Sequence, residues 1–326
     1  MKKMLISMFF LFFVLSVSAY ADRMTEESIT TSQFDTFRFL QYIPAETGRE
    51  LPLIVYFHGG GGKGDDLDNV KSYLLPQQIE ASYYGDLAAY VVCPQVPSSK
   101  RGWSDVSASV FELIDHMCEN YKINERKISF IGHSMGGTGA WAIACKLPER
   151  FSCIVPMSGS IDNTTANVNK LKNMPIRAFV SLADRVVDAQ SSIDFVAAIK
   201  EADPAADCEI TVYQTEDHEG VLTRTLTDNE LNIVAWALSN ERKNTILSHS
   251  GGRTNLKIQI PGEYTLIFAD YTDGLLQSVK ISEPQAFSYG KASIKNADVS
   301  LQTGDKIFLW SSANEPMPYS AAYKLR

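Results

Sequence analysis

Cysteine is scarce in this 326-residue chain, and its copies are irregularly spaced. They are Cys93, Cys118, Cys145, Cys153 and Cys208. Because disulfide-stabilised domains carry a denser and more regular set, this spacing excludes a disulfide scaffold and a cysteine-based zinc site. The odd count allows a disulfide but leaves at least one thiol free or paired with another molecule.

Patterns that bind metals or phosphates are also missing. No cluster among the five histidines and the neighbouring Cys, Asp and Glu residues has the spacing of a metal site. No glycine-rich segment has the G-x-G-x-x-G or Walker pattern in a phosphate-binding context. We therefore expect a protein that uses no metal and no cofactor.

Basic residues are outnumbered by acidic ones, 30 against 38, which gives the chain a net charge of −8. Removing residues 1–21 takes away Lys2 and Lys3 but no acidic residue, so the remainder carries −10. Such a charge disfavours binding to nucleic acid or to an anionic membrane.

Long apolar runs are limited to the N-terminus, where residues 4–17 follow Lys2 and Lys3. This run is shorter than the roughly 20 residues that cross a bilayer. It precedes Ala19-Tyr20-Ala21, which fits the small-x-small rule of signal peptidase. We expect a signal peptide over residues 1–21, cleavage near Ala21, and a secreted or periplasmic protein with no integral membrane association.

Short apolar runs typical of strands alternate with helical patterns as far as residue 238. The predicted strands cover residues 37–43, 53–58, 89–94, 127–131, 153–157, 176–182 and 209–214. The predicted helices, with a 3.6-residue apolar period, cover residues 106–121, 135–146, 191–201 and 222–238. This alternation predicts an α/β domain over residues 22–243, with a mostly parallel sheet and helices on both faces.

Helical periodicity ends after residue 243. Short alternating stretches follow at residues 256–260, 264–269, 275–281 and 306–310. They predict a small all-β, β-sandwich-like module over residues 244–326.

The segment 132–137, with the sequence GHSMGG, follows a predicted strand and opens a predicted helix. That context is the one a nucleophile elbow requires, so Ser134 is the candidate nucleophile. Gly132 and Gly136 let the strand turn sharply into the helix, and the Met135 N–H is expected to point at a developing oxyanion. The alternative is a glycine-rich turn without a catalytic part, which the position between strand and helix disfavours.

A serine nucleophile needs a base and an acid that orients the base, in the chain order Ser, acid, His. Only His218 and His249 follow Ser134. His218 comes after the last predicted strand of the α/β domain, whereas His249 lies in the presumed linker, so His218 is the candidate base. Asp184 lies closest to the end of the preceding strand and is the candidate acid, while Asp188 is expected to cap the next helix.

Four glycines follow His58 at the end of a predicted strand. Glycine lets the backbone approach a substrate carbonyl, so Gly60 is the candidate second oxyanion donor beside Met135. His58 is expected to hold this loop. Trp103 and His133 are candidate substrate-binding residues, although each can equally be a packing residue.

With these motifs, the sequence resembles the predicted peptidase and carboxylesterase family of α/β-hydrolases, which has feruloyl-esterase-like and polyhydroxybutyrate-depolymerase-like members. The matching segments include 51–59 (LPLIVYFHG), 93–97 (CPQVP), 127–141 and 148–151 (PERF), and the likeness extends over about residues 36–240. It implies the same roles for Ser134, Asp184, His218, Gly60 and Met135, and it favours a place for Trp103 in the cleft over a packing role.

Two departures from the family pattern suggest a different substrate pocket. The family usually has His-Gly before the acid, where this chain has Val180-Ser181. It also usually has a tryptophan shortly after the catalytic histidine, where this chain has Glu219-Gly220-Val221. Separately, residues 306–312 with Pro316-Met317-Pro318 resemble the end of a small β module found in many secreted bacterial proteins.

Export and the resemblance together imply a serine carboxylic-ester hydrolase that acts on a small-molecule or polysaccharide ester. The expected substrate is a feruloyl or acetyl group on plant cell-wall carbohydrate. A serine peptidase of the prolyl-oligopeptidase-like class is the first alternative, but the sequence lacks the propeller repeats of those enzymes. The second is a glycan-binding protein with an inactive hydrolase domain.

Overall fold

The computed structural model describes residues 22–295, 301–311 and 322–325. The signal peptide predicted for residues 1–21 and the segment Pro316-Met317-Pro318 lie outside these residues. Among the helices of the described part, none is both long enough and apolar enough to cross a bilayer.

An eight-stranded sheet forms the centre of the first domain. In chain order its strands are β1 (Thr25–Ile29), β2 (Phe37–Tyr42), β3 (Leu51–Phe57), β4 (Tyr90–Pro94), β5 (Ile123–His133), β6 (Cys153–Met157), β7 (Ile176–Ser181) and β8 (Cys208–Tyr213). They lie side by side in the order β1-β2-β4-β3-β5-β6-β7-β8. Strands β3 to β8 pair in parallel, whereas β2 pairs antiparallel with both β4 and β1, which confirms the predicted mostly parallel sheet.

Helices cover both faces of this sheet. They are α1 (Asp68–Lys71), α2 (Leu74–Glu80), α3 (Ser107–Asn120), α4 (Met135–Ala144), α5 (Thr165–Leu171), α6 (Ala189–Ala202), α7 (His218–Thr227) and α8 (Ile233–Ser239). Side chains alternate along a strand, so Leu53, Val55 and Phe57 of β3 pack with α3 to α6. Ile54 and Tyr56 point the other way and pack with α1, α2, α7 and α8.

The helix predicted for residues 222–238 is two helices, α7 and α8. Asn232 has a left-handed backbone with φ of 37°, which breaks the helical path. Asp228 accepts hydrogen bonds from the Glu230 and Leu231 N–H groups and stabilises the turn before the break. The apolar period continues across this turn, so the pattern alone predicted one helix.

The C-terminal domain consists of antiparallel strands, as predicted. They are β9 (Thr245–Ser250), β10 (Arg253–Ile258), β11 (Gly262–Thr272), β12 (Leu275–Ile281), β13 (Gln285–Phe287), β14 (Gly290–Lys295), β15 (Lys306–Ser311) and β16 (Tyr323–Lys324). One sheet has the order β14-β10-β9, and the other has the order β12-β11-β15-β16 with β13 on β11. Leu256 and Ile258 of the first sheet share a buried cluster with Leu266, Phe268 and Ile307 of the second.

The C-terminal domain contacts the amino-terminal ends of β7 and β8. Gln259 donates a hydrogen bond of 2.9 Å to the carbonyl of Asn173, which precedes β7. Lys291 pairs with Asp203, which precedes β8, at 2.6 Å. Because the candidate acid and base follow the opposite ends of these strands, the C-terminal domain makes these contacts away from the site.

All five cysteines are free thiols, so the disulfide that the odd count allowed is not formed. Four of them are buried. Burial raises the pKa of Cys118 and Cys145 to about 11, which makes these thiols poor nucleophiles at neutral pH.

Candidate active site

Ser134 lies at the sharp turn between β5 and α4. Its backbone has φ of 58° and ψ of −121°, a strained conformation of the kind that concentrates at functional sites. A Cβ on Gly136 would lie 1.9 Å from the carbonyl oxygen of Phe57, and one on Gly132 would lie 2.3 Å from that of Gly136. Both positions therefore require glycine. The Ser134 N–H donates to the Met157 carbonyl at 2.9 Å, which fixes the turn against β6.

Asp184 and His218 form a hydrogen-bonded pair at the carboxyl ends of β7 and β8. His218 Nδ1 lies 2.8 Å from Asp184 Oδ2. The Asp184 side chain is 2% exposed and that of His218 is 13% exposed. The other carboxylate oxygen, Oδ1, accepts hydrogen bonds from the N–H groups of Val186 (2.8 Å) and Val187 (3.0 Å).

The charge of Asp184 decides which nitrogen of His218 carries the proton. Burial opposes ionisation of the carboxyl group, but the hydrogen bonds from His218, Val187 and Val186 outweigh it and lower the pKa of Asp184. An ionised carboxylate only accepts hydrogen bonds, so His218 Nδ1 must be the donor. In neutral His218 the lone pair is then on Nε2, the nitrogen that a serine base uses.

His218 also lies close to the nucleophile turn. His133, which directly precedes Ser134, has its ring centroid 4.7 Å from that of His218. His133 Nε2 lies 2.9 Å from the His218 carbonyl oxygen and donates to it. The structure thus brings the candidate nucleophile, base and acid to one edge of the sheet.

The two residues weighed as alternatives lie elsewhere. Asp188 is the N-cap of α6 and accepts a hydrogen bond of 2.9 Å from the Gln190 N–H, as expected. His249 belongs to β9 in the C-terminal domain, where its Nδ1 lies 2.9 Å from the Thr254 hydroxyl.

The glycine loop after β3 lies beside Ser134. Gly60 begins a short 3₁₀ helix, Gly60–Gly62, and a Cβ on the preceding Gly59 would lie 3.5 Å from the Ser134 Cβ. Met135 is the first residue of α4, where backbone N–H groups have no partner within the helix. Two backbone donors, those of Gly60 and Met135, therefore belong to segments that flank the nucleophile.

Hydrogen bonds of the His58 imidazole stabilise the glycine loop. Its Nε2 accepts a hydrogen bond from the Val96 N–H (3.1 Å), so its Nδ1 carries the proton and donates to the Gly59 carbonyl (2.6 Å). A Cβ on Gly62 would lie 2.4 Å from the imidazole, so the loop folds tightly over the ring. Burial lowers the pKa of His58 to about 4 and keeps it neutral.

The buried His58 makes the stability of the fold depend on pH. The unfolded chain takes up a proton at this residue below about pH 6.5, whereas the folded chain takes it up only near pH 4. The contribution of neutral His58 to the free energy of unfolding is therefore fully present above pH 6.5 and is lost as the pH falls toward 4. Between pH 7 and pH 5 we expect a loss of about 2 kcal/mol from this group. Urea unfolding at pH 7 and at pH 5 measures the change in the free energy of unfolding. In His58→Gln this change should be smaller by about 2 kcal/mol.

Trp103 and His133 do not line an open cleft, which corrects the expectation that they bind substrate. Trp103 is 2% exposed; its ring stacks 4.1 Å from Phe57 and its Nε1 donates to the His58 carbonyl at 3.1 Å. His133 is fully buried. Both side chains pack beneath the site: Trp103 lies under the glycine loop, and His133 lies under the start of α7. Their close-packed neighbours exclude them from solvent.

Tyr73 is a residue at the site that the sequence did not indicate. Its hydroxyl would lie 3.0 Å from a Cβ on Gly59 and 3.3 Å from one on Gly61, so it contacts the glycine loop. Tyr73 lies in an irregular segment between α1 and α2 with no motif around it. Only the fold of this segment over the loop brings it there.

One group of described residues has the composition of a metal site: His133, His218 and Glu219, with ligand atoms within 4.8 Å of one another. Two of the four ring nitrogens already have protein partners, since His218 Nδ1 binds Asp184 and His133 Nε2 binds the His218 carbonyl. We interpret the group as the surroundings of the base.

Similarity to solved structures supports the fold. The chain is 22% identical to a thermostable esterase, with a TM-score of 0.59 over 68% of this chain and 64% of that one, so it spans less than two thirds of that esterase. It is 15% identical to the S954A mutant of a feruloyl esterase module from Clostridium thermocellum, with a TM-score of 0.53 over 70% of this chain and 90% of that one. It is 12% identical to dipeptidyl peptidase 4 from Porphyromonas gingivalis, with a TM-score of 0.50 over 67% of this chain and 35% of that one.

No curated protein sequence shows a significant match to this chain. A family model described as "Putative esterase" matches residues 41–249, which is more than half of the chain and includes every candidate site residue. The chain therefore belongs to the "Putative esterase" family and has the α/β-hydrolase fold.

Proposed function

We propose that this chain is a secreted serine esterase in which Ser134, His218 and Asp184 cleave a carboxylic ester through an acyl-enzyme. The observation that carries the proposal is the Asp184–His218 pair, 2.8 Å apart with the carboxylate buried, beside the strained turn that holds Ser134. Buried acid–base pairs of this kind are typical of catalytic sites.

In the first half of the reaction, Ser134 Oγ bonds to the ester carbonyl carbon as His218 Nε2 takes its proton. Negative charge develops on the carbonyl oxygen, and the N–H groups of Gly60 and Met135 stabilise it. Asp184 stabilises the protonated imidazole. The C–O bond to the alcohol then breaks, and His218 gives its proton to the departing oxygen.

In the second half, His218 takes a proton from water as the water oxygen bonds to the acyl carbon. The bond to Ser134 Oγ breaks, and Oγ recovers a proton from His218, which releases the acid and restores the enzyme. The contacts that the described residues of the C-terminal domain make with β7 and β8 lie at the other ends of these strands, away from the reacting groups.

We propose a feruloyl or acetyl group on plant cell-wall carbohydrate as the substrate. Support comes from membership of an esterase family and from likeness in fold to the feruloyl esterase module. Export through the signal peptide at residues 1–21 is part of this proposal, because such a polysaccharide lies outside the cell. Intact-mass measurement of the exported protein should give a chain that begins near Asp22.

Hydrolysis of a substrate panel tests the proposed function. The panel is p-nitrophenyl acetate, p-nitrophenyl butyrate, methyl ferulate, acetylated xylan and an aminoacyl anilide, assayed with residues 22–326 and with Ser134→Ala. We expect ester turnover that the variant lacks, with methyl ferulate or acetylated xylan preferred. Cleavage of the anilide alone would favour a prolyl-oligopeptidase-like peptidase, and no turnover at all would favour the glycan-binding alternative.

Gly60→Pro tests the oxyanion donor without removing a side chain. Proline lacks an N–H but is tolerated at the first position of a helix, and Gly59 already has the extended backbone that precedes proline. The turn itself is held by N–H groups of Gly62 and Lys63. We expect kcat to fall about 10²- to 10³-fold.

Gly60→Ala is the matched control, because it keeps the N–H and its Cβ meets nothing within 4 Å. It should retain most of the activity of the unsubstituted enzyme. Equal kcat values in the proline and alanine variants, with both folded by circular dichroism, would contradict the role of the Gly60 N–H.

A further inference from the structure

A cavity of about 370 Å³ opens between the glycine loop and α7. Its lining includes Gly61, Tyr73, Leu74, Glu219, Leu222 and Thr223. We call it the Glu219 cavity. It is large enough for a substituent of moderate size, such as an aromatic acyl group or one sugar ring.

The Glu219 cavity adjoins the reacting groups at two points. Gly61 belongs to the glycine loop, and Glu219 directly follows His218, with a carboxylate oxygen within 4.8 Å of a His218 nitrogen. A Cβ on Gly59 would lie 3.0 Å from the Tyr73 hydroxyl and 3.5 Å from the Ser134 Cβ, so both side chains approach the same glycine. A substituent next to the scissile carbonyl can therefore extend into this cavity.

The lining is uncharged except at one residue, and Ser72, Gln77 and Thr223 make part of it polar. Tyr73, Leu74 and Leu222 offer aromatic and aliphatic surface, and burial raises the pKa of Tyr73, which keeps its hydroxyl protonated. Of the described residues in the lining, Glu219 is the one with a full charge. Glu219 forms no ion pair with a described residue, whereas nearby Glu216 is paired with Arg224 at 3.0 Å.

We propose that the Glu219 cavity determines substrate specificity by accepting an uncharged, hydroxyl-bearing substituent and excluding one that carries a carboxylate. This inference rests on the proposed esterase function. The Glu219 carboxylate accepts hydrogen bonds from phenolic or sugar hydroxyls, and charge-assisted hydrogen bonds of this type are stronger than neutral ones. A carboxylate in the same place meets a like charge with no cation in the lining to offset it.

Two matched pairs of esters test this selection, one pair for each side of the scissile bond. The acyl pair is p-nitrophenyl hemisuccinate and the uncharged p-nitrophenyl isocaproate. The alcohol pair is m-carboxyphenyl acetate and the uncharged m-acetylphenyl acetate. The measured quantity is the ratio of kcat/KM for the charged ester to kcat/KM for its neutral partner.

In Glu219→Gln we expect this ratio to rise about 3- to 10-fold in one pair, because Glu219 is exposed and water screens part of the repulsion. The pair that responds identifies which part of the ester occupies the cavity. Glu219→Lys should raise the ratio further, since it replaces repulsion with attraction. Glu201→Gln on α6 makes the same change in net charge away from the cavity and should leave both ratios unaltered.

Failure of this inference is distinct from failure of the proposed function. If neutral esters are cleaved but neither ratio changes in Glu219→Gln and Glu219→Lys, Glu219 does not select substrates. The same conclusion follows if Glu201→Gln changes the ratios equally, because net charge would then explain the effect. If neither neutral ester is cleaved, the proposed esterase function is wrong, and this inference with it.

Discussion

Ser134→Ala is expected to lower kcat for neutral esters by about 10⁵- to 10⁶-fold. The hydroxyl is the only group of Ser134 that reacts, and alanine retains the Cβ and the backbone of the turn. The N–H contact with the Met157 carbonyl is also retained, so the fold should persist. Initial rates with p-nitrophenyl butyrate, at enzyme concentrations high enough to detect the residual rate, measure the loss.

Ser160→Ala is the matched control for this change. Ser160 is an exposed serine whose hydroxyl lies 3.4 Å from that of Thr138. Thr138 is on α4, one helical turn after Ser134. It should retain nearly full activity. A Ser134→Ala variant within 10-fold of the parent enzyme would mean that Ser134 is not the nucleophile, whatever the geometry around it.

Asp184→Asn is expected to lower kcat by about 10⁴-fold while preserving the fold. Asp184 Oδ1 accepts hydrogen bonds from Val186 and Val187, so an asparagine at this position will place its carbonyl oxygen there. Its NH₂ group then faces His218 Nδ1 and donates to it. His218 must carry its proton on Nε2, where it can no longer accept the proton of Ser134.

Asp188→Asn gives the comparison, because this residue was the alternative acid. Asp188 caps α6, and asparagine is as good a cap as aspartate, so neither activity nor stability should change much. The pair of variants is assayed with one ester at pH 7. A large loss in Asp188→Asn together with full activity in Asp184→Asn would reverse the assignment of the acid.

Much of the fold followed from apolar periodicity. All seven strands predicted for the α/β domain exist. In six of them the apolar residues of the strand are buried, whereas in β8 only Cys208 is buried and residues 210–213 are partly exposed. Strand β1, with the sequence TEESI, was not predicted, since four of its five residues are exposed. Its pairing with β2 is held by backbone hydrogen bonds at the sheet edge, and these leave no hydrophobic pattern.

The residues of the site also divide into those that the sequence could locate and those that it could not. Ser134, Asp184 and His218 could be located because their positions follow from strand ends and chain order. The burial of Trp103 and His133 could not be predicted, because it depends on residues far away in sequence that pack over them. Tyr73 reaches the glycine loop only through the path of the chain between α1 and α2.

Labelling with a fluorophosphonate tests the central claim most directly, because such probes react with an activated serine and not with ordinary hydroxyls. Intact mass and peptide mapping of residues 22–326 after labelling should show one phosphonyl group, attached to Ser134, and its formation should be much slower in His218→Ala. No label, or a label on another residue at the same rate in both proteins, would contradict the account of a His218-activated Ser134.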